Sequence, residues 1–248
     1  CKIFFRYVDA FLAIGTANKK YYKSLGVSDK DIFLVPYTID NSRFRIDKDH
    51  VQNQIKELKT EIGLSQHPTI IFSSKFMERK RPHDLLEAAK ILQEKNYEFN
   101  ILFVGSGELE TTLNELVKKN NLQNIFFKGF VNQSSLPLYY AACDIFVLPS
   151  INEPWGLVIN EVMSCGLPVV VANGIGAADD LVQDGINGFI FEPLNPHDLA
   201  KKLKLLLQNN SLRQEMSKQS SIIMNSWSYF ECAEGVHNAC RHLGFQEV

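Results

Sequence analysis

The sequence predicts an α/β protein, a doubly wound parallel sheet with helices on both faces. Three observations predict it. Short apolar runs recur along the chain, among them Ile70-Ile71-Phe72, Ile101-Leu102-Phe103-Val104, Ile145-Phe146-Val147-Leu148 and Val169-Val170-Val171. Runs that are apolar at every position suit strands buried on both faces, the situation of a parallel sheet. Helical patterns alternate with these runs, and that alternation argues βαβ units. Proline and glycine punctuate the helices, with Pro82 opening one and Gly63 closing another.

The elements follow in order. Residues 9–14 read as a strand, Ala17 to Leu25 as a helix ended by Gly26, and residues 32–37 as a second strand. A polar crossover from Asp40 leads to a helix over 51–62. Strand 69–73 precedes a helix from Pro82 to Lys95, whose Leu85, Leu86, Ala89 and Leu92 share one face. Strand 100–104, helix 108–120, strand 124–127 and helix 136–142 come next. Then follow strand 144–148, helix 156–165, strand 168–172, a short helix around 177–182, strand 188–191 and helix 197–208. Helices over 211–224 and 228–242 close the pattern.

At 248 residues, with 45% hydrophobic and 22% charged residues, the chain has the profile of one or two globular domains. A net charge of −2 argues against a nucleic-acid surface or a polybasic membrane face. The five cysteines, Cys1, Cys143, Cys165, Cys232 and Cys240, are scattered and lack metal-ligand spacing. Reduced thiols in a cytoplasmic protein are the expectation.

The most informative stretch is Glu153-Pro154-Trp155-Gly156-Leu157-Val158-Ile159-Asn160-Glu161, which continues into Ser164-Cys165-Gly166-Leu167-Pro168-Val169-Val170. It reads as strand, loop with a carboxylate, helix with a second carboxylate, strand. A helix start beside the carboxyl end of a parallel strand offers free N–H groups and a positive dipole end to an anion. Carboxylates accept hydrogen bonds from vicinal hydroxyls and repel phosphate. Both glutamates are expected to lack compensation beside phosphates unless hydroxyls engage them. A ligand carrying both groups, such as a sugar nucleotide, satisfies these demands together.

Three other loops follow strands, where an open sheet binds ligands. Lys75-Phe76-Met77-Glu78-Arg79-Lys80-Arg81 is strongly basic. Gly105-Ser106-Gly107 opens a helix, and its glycines permit close backbone approach. Gly129-Phe130-Val131 places apolar side chains after a strand. There is no Asp-x-Asp after a strand, no histidine cluster and no serine-hydrolase elbow.

The Glu153-to-Glu161 spacing, its Pro-Trp-Gly-Leu filling and its Ser-Cys-Gly-Leu-Pro-Val-Val tail resemble the Glu-x7-Glu motif of retaining glycosyltransferases of group 1, family 4 type. These enzymes have the GT-B fold of two Rossmann-like domains. The resemblance covers residues 8 to 242. It implies that residues 46–226 form a Rossmann-like nucleotide-sugar-binding domain. It implies further that 1–45 are the remnant of an N-terminal acceptor domain with the interdomain crossover, and that 227–248 form a C-terminal crossover helix. By resemblance, Lys75 and Lys80 bind the donor diphosphate and Gly105 and Gly107 lie under the nucleotide. Phe130 and Val131 pack on the base, Glu161 accepts from the ribose hydroxyls, and Glu153 lies near the donor sugar. Backbone N–H groups near Gly156, Leu157 and Val158 meet the distal phosphate. Glu153, Lys75 and Lys80 are thus the expected catalytic residues. Two departures are visible: Lys75 where many relatives have Arg, and Arg81 where many have Gly. Lysine keeps the charge but loses the bidentate fork.

The implied reaction transfers a hexose-like unit from a nucleotide diphosphate sugar to an acceptor hydroxyl with retention of configuration. No cofactor or metal is expected, since cations and a helix dipole suffice for the leaving diphosphate. The expected partners are the nucleotide sugar and an acceptor of unknown type, glycan, lipid or small molecule. The expected location is the cytoplasm, with peripheral attachment of a longer form to the inner membrane face left open. Alternatives remain open too: a catalytically silent nucleotide-sugar-binding module, a sugar-nucleotide epimerase of related fold, or a paired-carboxylate glycosidase.

Overall fold

A computed structural model of the chain describes residues 3–245. Residues 1–2 and 246–248, Cys1 among them, lie outside the described part. Two parallel sheets form, one of six strands and one of two. The large sheet comprises β3 (Thr69–Ser73), β4 (Asn100–Val104), β5 (Ile125–Gly129), β6 (Ile145–Leu148), β7 (Val169–Ala172) and β8 (Gly188–Phe191). Its spatial order is β5-β4-β3-β6-β7-β8. This is a doubly wound arrangement of Rossmann type, with its reversal between β3 and β6.

The continuous apolar runs become this sheet because both faces are covered. Every residue of β3, β4, β6 and β7 is buried. Helix α3 (Pro82–Gln93) has Pro82 in its first turn and buries Leu85, Leu86, Ala88, Ala89 and Leu92. Helices α4 (Glu110–Lys119) and α8 (Pro196–Gln208) pack beside it. On the other face α2 (Gln52–Ile62), α5 (Leu136–Ala141) and α6 (Leu157–Ser164) pack in series, and α9 (Asn210–Ile223) lies against α6. A short α7 (Ala178–Leu181) precedes β8. Helix α4 starts at Glu110, later than expected, because the Leu109 N–H turns back to the Phe76 carbonyl at 3.1 Å.

The small sheet pairs β1 (Phe11–Ala13) with β2 (Ile32–Leu34) around α1 (Thr16–Ser24). Both strands are shorter than the expected 9–14 and 32–37. Single bonds from Val35 N–H to the Ala13 carbonyl (2.8 Å) and from Tyr37 N–H to the Ile14 carbonyl (3.1 Å) carry the pairing onward. Phe11, Ala13 and Ile32 form a separate small core. The last helix, α10 (Tyr229–His242), begins with a capping box of Ser228 and Glu231 and packs on β2 and β1. The chain thus returns to the part that holds β1 and β2.

The two parts are tied together at one corner. The indoles of Trp155 and Trp227 stack at 5.7 Å with 18° between planes. Trp227 Nε1 donates to the Tyr37 carbonyl at 3.1 Å, and Asn160 Nδ2 donates to the same oxygen at 3.2 Å. Trp155 Nε1 donates to Asn160 Oδ1 at 3.0 Å. Asp180 accepts from Thr16 through both its backbone N–H (2.8 Å) and its hydroxyl (2.6 Å).

Gly235 sets how closely α10 approaches the small sheet. A Cβ there would stand 2.0 Å from the Leu34 carbonyl oxygen. Alanine at a helix interior gains up to ~1 kcal/mol in propensity. Overpacking against backbone costs ~1–3 kcal/mol, and here no side chain can rotate away. Gly235→Ala is therefore expected to destabilise the chain by ~1–2 kcal/mol in urea unfolding. Neutral or raised stability would disprove the close contact.

Candidate functional site

The loops after β3 and β6 face one another because the sheet reverses between these strands. They are joined directly: the Ile151 N–H donates to the Arg79 carbonyl at 2.8 Å. A 3₁₀ turn over Glu78–Lys80 carries the basic residues, and Arg81 follows with φ 52°. That left-handed conformation suits glycine and is rare for an arginine. Arg81 is held in it by a fork onto Asp84, Nη2 to Oδ1 at 2.7 Å and Nε to Oδ2 at 3.1 Å. That carboxylate raises the Arg81 pKa further.

Glu153 and Lys80 meet across the crevice. Their side chains are 9% and 11% exposed, and Lys80 Nζ donates to Glu153 Oε2. Arg79 Nη1 donates to the same oxygen at 3.1 Å. The expectation that Glu153 stands without compensation is thus corrected: two cations hold it. The cause is burial, because a carboxylate this enclosed is costly unless paired. The Glu153 loop is braced from behind. Gly176 N–H donates to the Glu153 carbonyl at 2.9 Å, and Ala177 N–H to the Trp155 carbonyl at 3.0 Å. A Cβ at Gly176 would lie 1.9 Å from the Pro154 carbonyl oxygen, so this contact requires glycine.

Glu161 lies one helix further on and meets neutral partners. Tyr140 Oη donates to Glu161 Oε2 at 2.9 Å, and Ser73 Oγ lies 3.1 Å from the same phenol oxygen. Burial pushes the Glu161 carboxyl above its ordinary range, while hydrogen bonds from Tyr140 and Gln133 and the charge of Arg43 pull it back. Burial and the neighbouring carboxylate push the Tyr140 phenol well up. Glu161 also lacks the isolation expected for it.

Helix α6 begins between the two glutamates. Gly156 caps it at φ 96°, and the N–H groups of Leu157 and Val158 have no hydrogen-bond partner among the described residues. They project the positive end of the helix toward the crevice. The remaining expected residues follow neighbouring strands on the same sheet edge. Lys75 is exposed, and its ammonium group forms no ion pair among the described residues. Phe130 is 77% exposed, whereas Val131 packs partly on the core. Gly105 and Gly107 owe their lack of side chain to loop packing. A Cβ would lie 2.1 Å from the Ser74 oxygen at the first and 2.4 Å from the Phe76 oxygen at the second.

Sequence reasoning missed Arg79, Tyr140 and Ser73 as members of this cluster. Arg79 adjoins Lys80 in a visible basic run. Tyr140 and Ser73 carry no sequence signal, since their link to Glu161 depends on the strand order. Trp155, part of the motif's filling, is a buried member of the corner that joins the two sheets. No group of three or more metal-ligating side chains occurs among the described residues. None of the described helices is long and apolar enough to cross a membrane. Cys143, Cys165, Cys232 and Cys240 are free thiols. Burial pushes the Cys165 thiol up to about 12.

The raised Glu161 carboxyl has a stability signature. The unfolded chain ionises this group first, so its contribution is most favourable below the ordinary carboxylate range. It is lost as pH rises through the folded value. Glu161→Gln removes this penalty and keeps an acceptor for Tyr140. The variant should exceed the wild type in stability at neutral pH, by an amount that vanishes on acidification. Urea melts across pH check this, and a variant less stable at neutral pH would contradict it.

The family model described as "Glycosyl transferases group 1" matches residues 54–221. An uncharacterized glycosyltransferase of Methanocaldococcus jannaschii is 30% identical over 173 residues, which are 70% of this chain and 48% of that protein. The chain spans about half the length of the curated relatives it matches. A glycosyltransferase structure from Rickettsia africae superposes with a TM-score of 0.83 at 20% identity, over 99% of this chain and 67% of that one. Anabaena HepE in complex with UDP superposes with a TM-score of 0.81 at 21% identity, over 96% of this chain and 64% of its own. These two share the fold. The sequence match over more than half of the chain shows the family, and the chain belongs to the group 1 glycosyl transferases.

Proposed function

We propose that this chain is the donor-binding part of a retaining glycosyltransferase that uses a nucleoside diphosphate sugar. The observation that carries the reading is the meeting of Lys80, Arg79, Glu153, Glu161 and the α6 start at the β3/β6 reversal. Phosphates would engage the cations and the N–H groups of Leu157 and Val158. Ribose hydroxyls would donate to Glu161, and the transferred sugar would lie beside Glu153. Phe130 and Val131 offer the base an apolar surface. UDP and UDP-glucose in complexes of Anabaena HepE support a nucleotide sugar as the donor class.

In this reading the bond between the anomeric carbon and the diphosphate oxygen breaks, and the electron pair leaves with the diphosphate. Lys80, Lys75 and the helix dipole stabilise the developing charge. The acceptor oxygen attacks from the face the diphosphate leaves, and its proton passes to a diphosphate oxygen. Configuration is kept. Glu153, clamped by two cations, supports the sugar and does not supply a nucleophile. Acceptor binding falls to the longer protein that the relatives' lengths suggest, and such a protein would act in the cytoplasm or at its membrane face.

Three titrations test the reading, each made with UDP, GDP and ADP. Lys80→Ala should weaken the preferred diphosphate by ~1.5–3 kcal/mol, the range for charge-assisted bonds. Unchanged affinity at low salt would sink the assignment. Glu153→Gln should act in the opposite direction. Phosphate and Glu153 compete for Lys80 and Arg79, so the neutral variant should bind the bare diphosphate up to ~10-fold tighter. Weaker binding in this variant would rule out competition. Finally, a chelator should leave affinity unchanged, and a large loss would point to a divalent metal.

A further inference from the structure

Tyr140 heads the fully buried side chains by volume, at 0% exposure, and its ring stacks on Phe44 at 6.3 Å and 27°. Packing alone would be served by phenylalanine, because a buried hydroxyl must be satisfied before it ceases to cost stability. This hydroxyl is satisfied in one direction only. A phenol has one proton, and an ionised carboxylate can only accept. Tyr140 therefore donates to Glu161 Oε2 at 2.9 Å, and Ser73 donates to Tyr140 Oη at 3.1 Å.

The chain of bonds joins three elements that reach the crevice separately. Ser73 ends β3, Tyr140 lies on α5, and Glu161 lies on α6. It engages Oε2, and the exposed Gln133 side chain is the other neutral donor at this carboxylate. We infer that Tyr140 is a positioning residue of the donor site, aligned by Ser73, which fixes Glu161 so that it receives the vicinal hydroxyls of a ribose. The inference rests on the donor-site reading above.

The groups facing Glu161 are Tyr140 from α5, Gln133 from the loop before it, Arg43 from the 3₁₀ turn over Asn41–Arg43, and Cys165 at the end of α6. Burial pushes its carboxyl up, and Tyr140 opposes that push. Loss of the phenol therefore raises the carboxyl further. The ribose then meets a protonated group at a pH where the wild type is ionised.

The test is calorimetry of the full chain with UDP, GDP and ADP, and with the 2′,3′-dideoxy analogue of whichever binds best, from about pH 5 to about pH 8. Tyr140→Phe should weaken the ribonucleotide about tenfold and barely affect the dideoxy analogue. The acid midpoint of ribonucleotide binding should move to higher pH. Ser73→Ala should move it in the same direction by less. Equal losses for both nucleotides with an unmoved midpoint would reduce Tyr140 to packing and overturn the inference, as would no loss at all. If Tyr140→Phe does not fold, Ser73→Ala decides: an unmoved midpoint overturns the inference. The donor-site reading fails by a different result, in which the wild type binds none of the three nucleotides or does not distinguish ribose from dideoxyribose.

Discussion

The parallel pairing of β3 with β6 is the constraint on which the site depends. Ile70 stands against Ile145 and Ile71 against Phe146. These strands lie 75 residues apart in register, and between them the chain builds β4 and β5 on the opposite flank. Two neighbouring strands thus send their following loops in diverging directions, and a crevice opens where they part. Lys75, Arg79, Lys80 and Glu153 stand on those two loops, Glu161 stands on the helix that follows the second, and Arg43 alone comes from before the sheet. The bond from the Ile151 N–H to the Arg79 carbonyl ties the two loops together beside the buried Lys80.

Two carboxylates eight positions apart therefore meet opposite surroundings. Glu153 answers to cations and Glu161 to neutral donors. In the proposed donor site, a phosphate entering beside Glu153 would exchange one anion for another on the same lysine. A sugar hydroxyl entering there beside Glu161 would meet a carboxylate that burial has already made reluctant to stay charged. Identical residue types in one motif are separated in surroundings by what lies behind them in the fold.

The sheet was legible where the physics is local. Thr69–Ser73 and Asn100–Val104 coincide with the expected strands because burial on both faces leaves an uninterrupted apolar run bounded by turns. The start of α4 was not legible, since Gly107-Glu108-Leu109 folds onto Phe76, a contact between two loops. The motif located Glu153 and Glu161 and put cations on a facing loop. It gave no account of their pairing, because Lys80 and Glu153 come together only through the strand order. Tyr140 shows the same limit more sharply: in sequence it is one aromatic on a helical face, and only the fold brings its hydroxyl between Ser73 and Glu161.

The corner that joins the two sheets has a practical meaning. The chain contains two tryptophans, and both lie in that corner, stacked on one another. Trp155 stands two positions after Glu153, between Pro154 and Gly156, while Trp227 precedes the helix that returns to the small sheet. Indole emission from this protein therefore originates wholly at the joint between the carboxylate loop and the returning helix. A close parallel pair of indoles also couples electronically, and that coupling is sensitive to separation and angle. The molecule carries an intrinsic optical gauge at the corner that joins its two sheets.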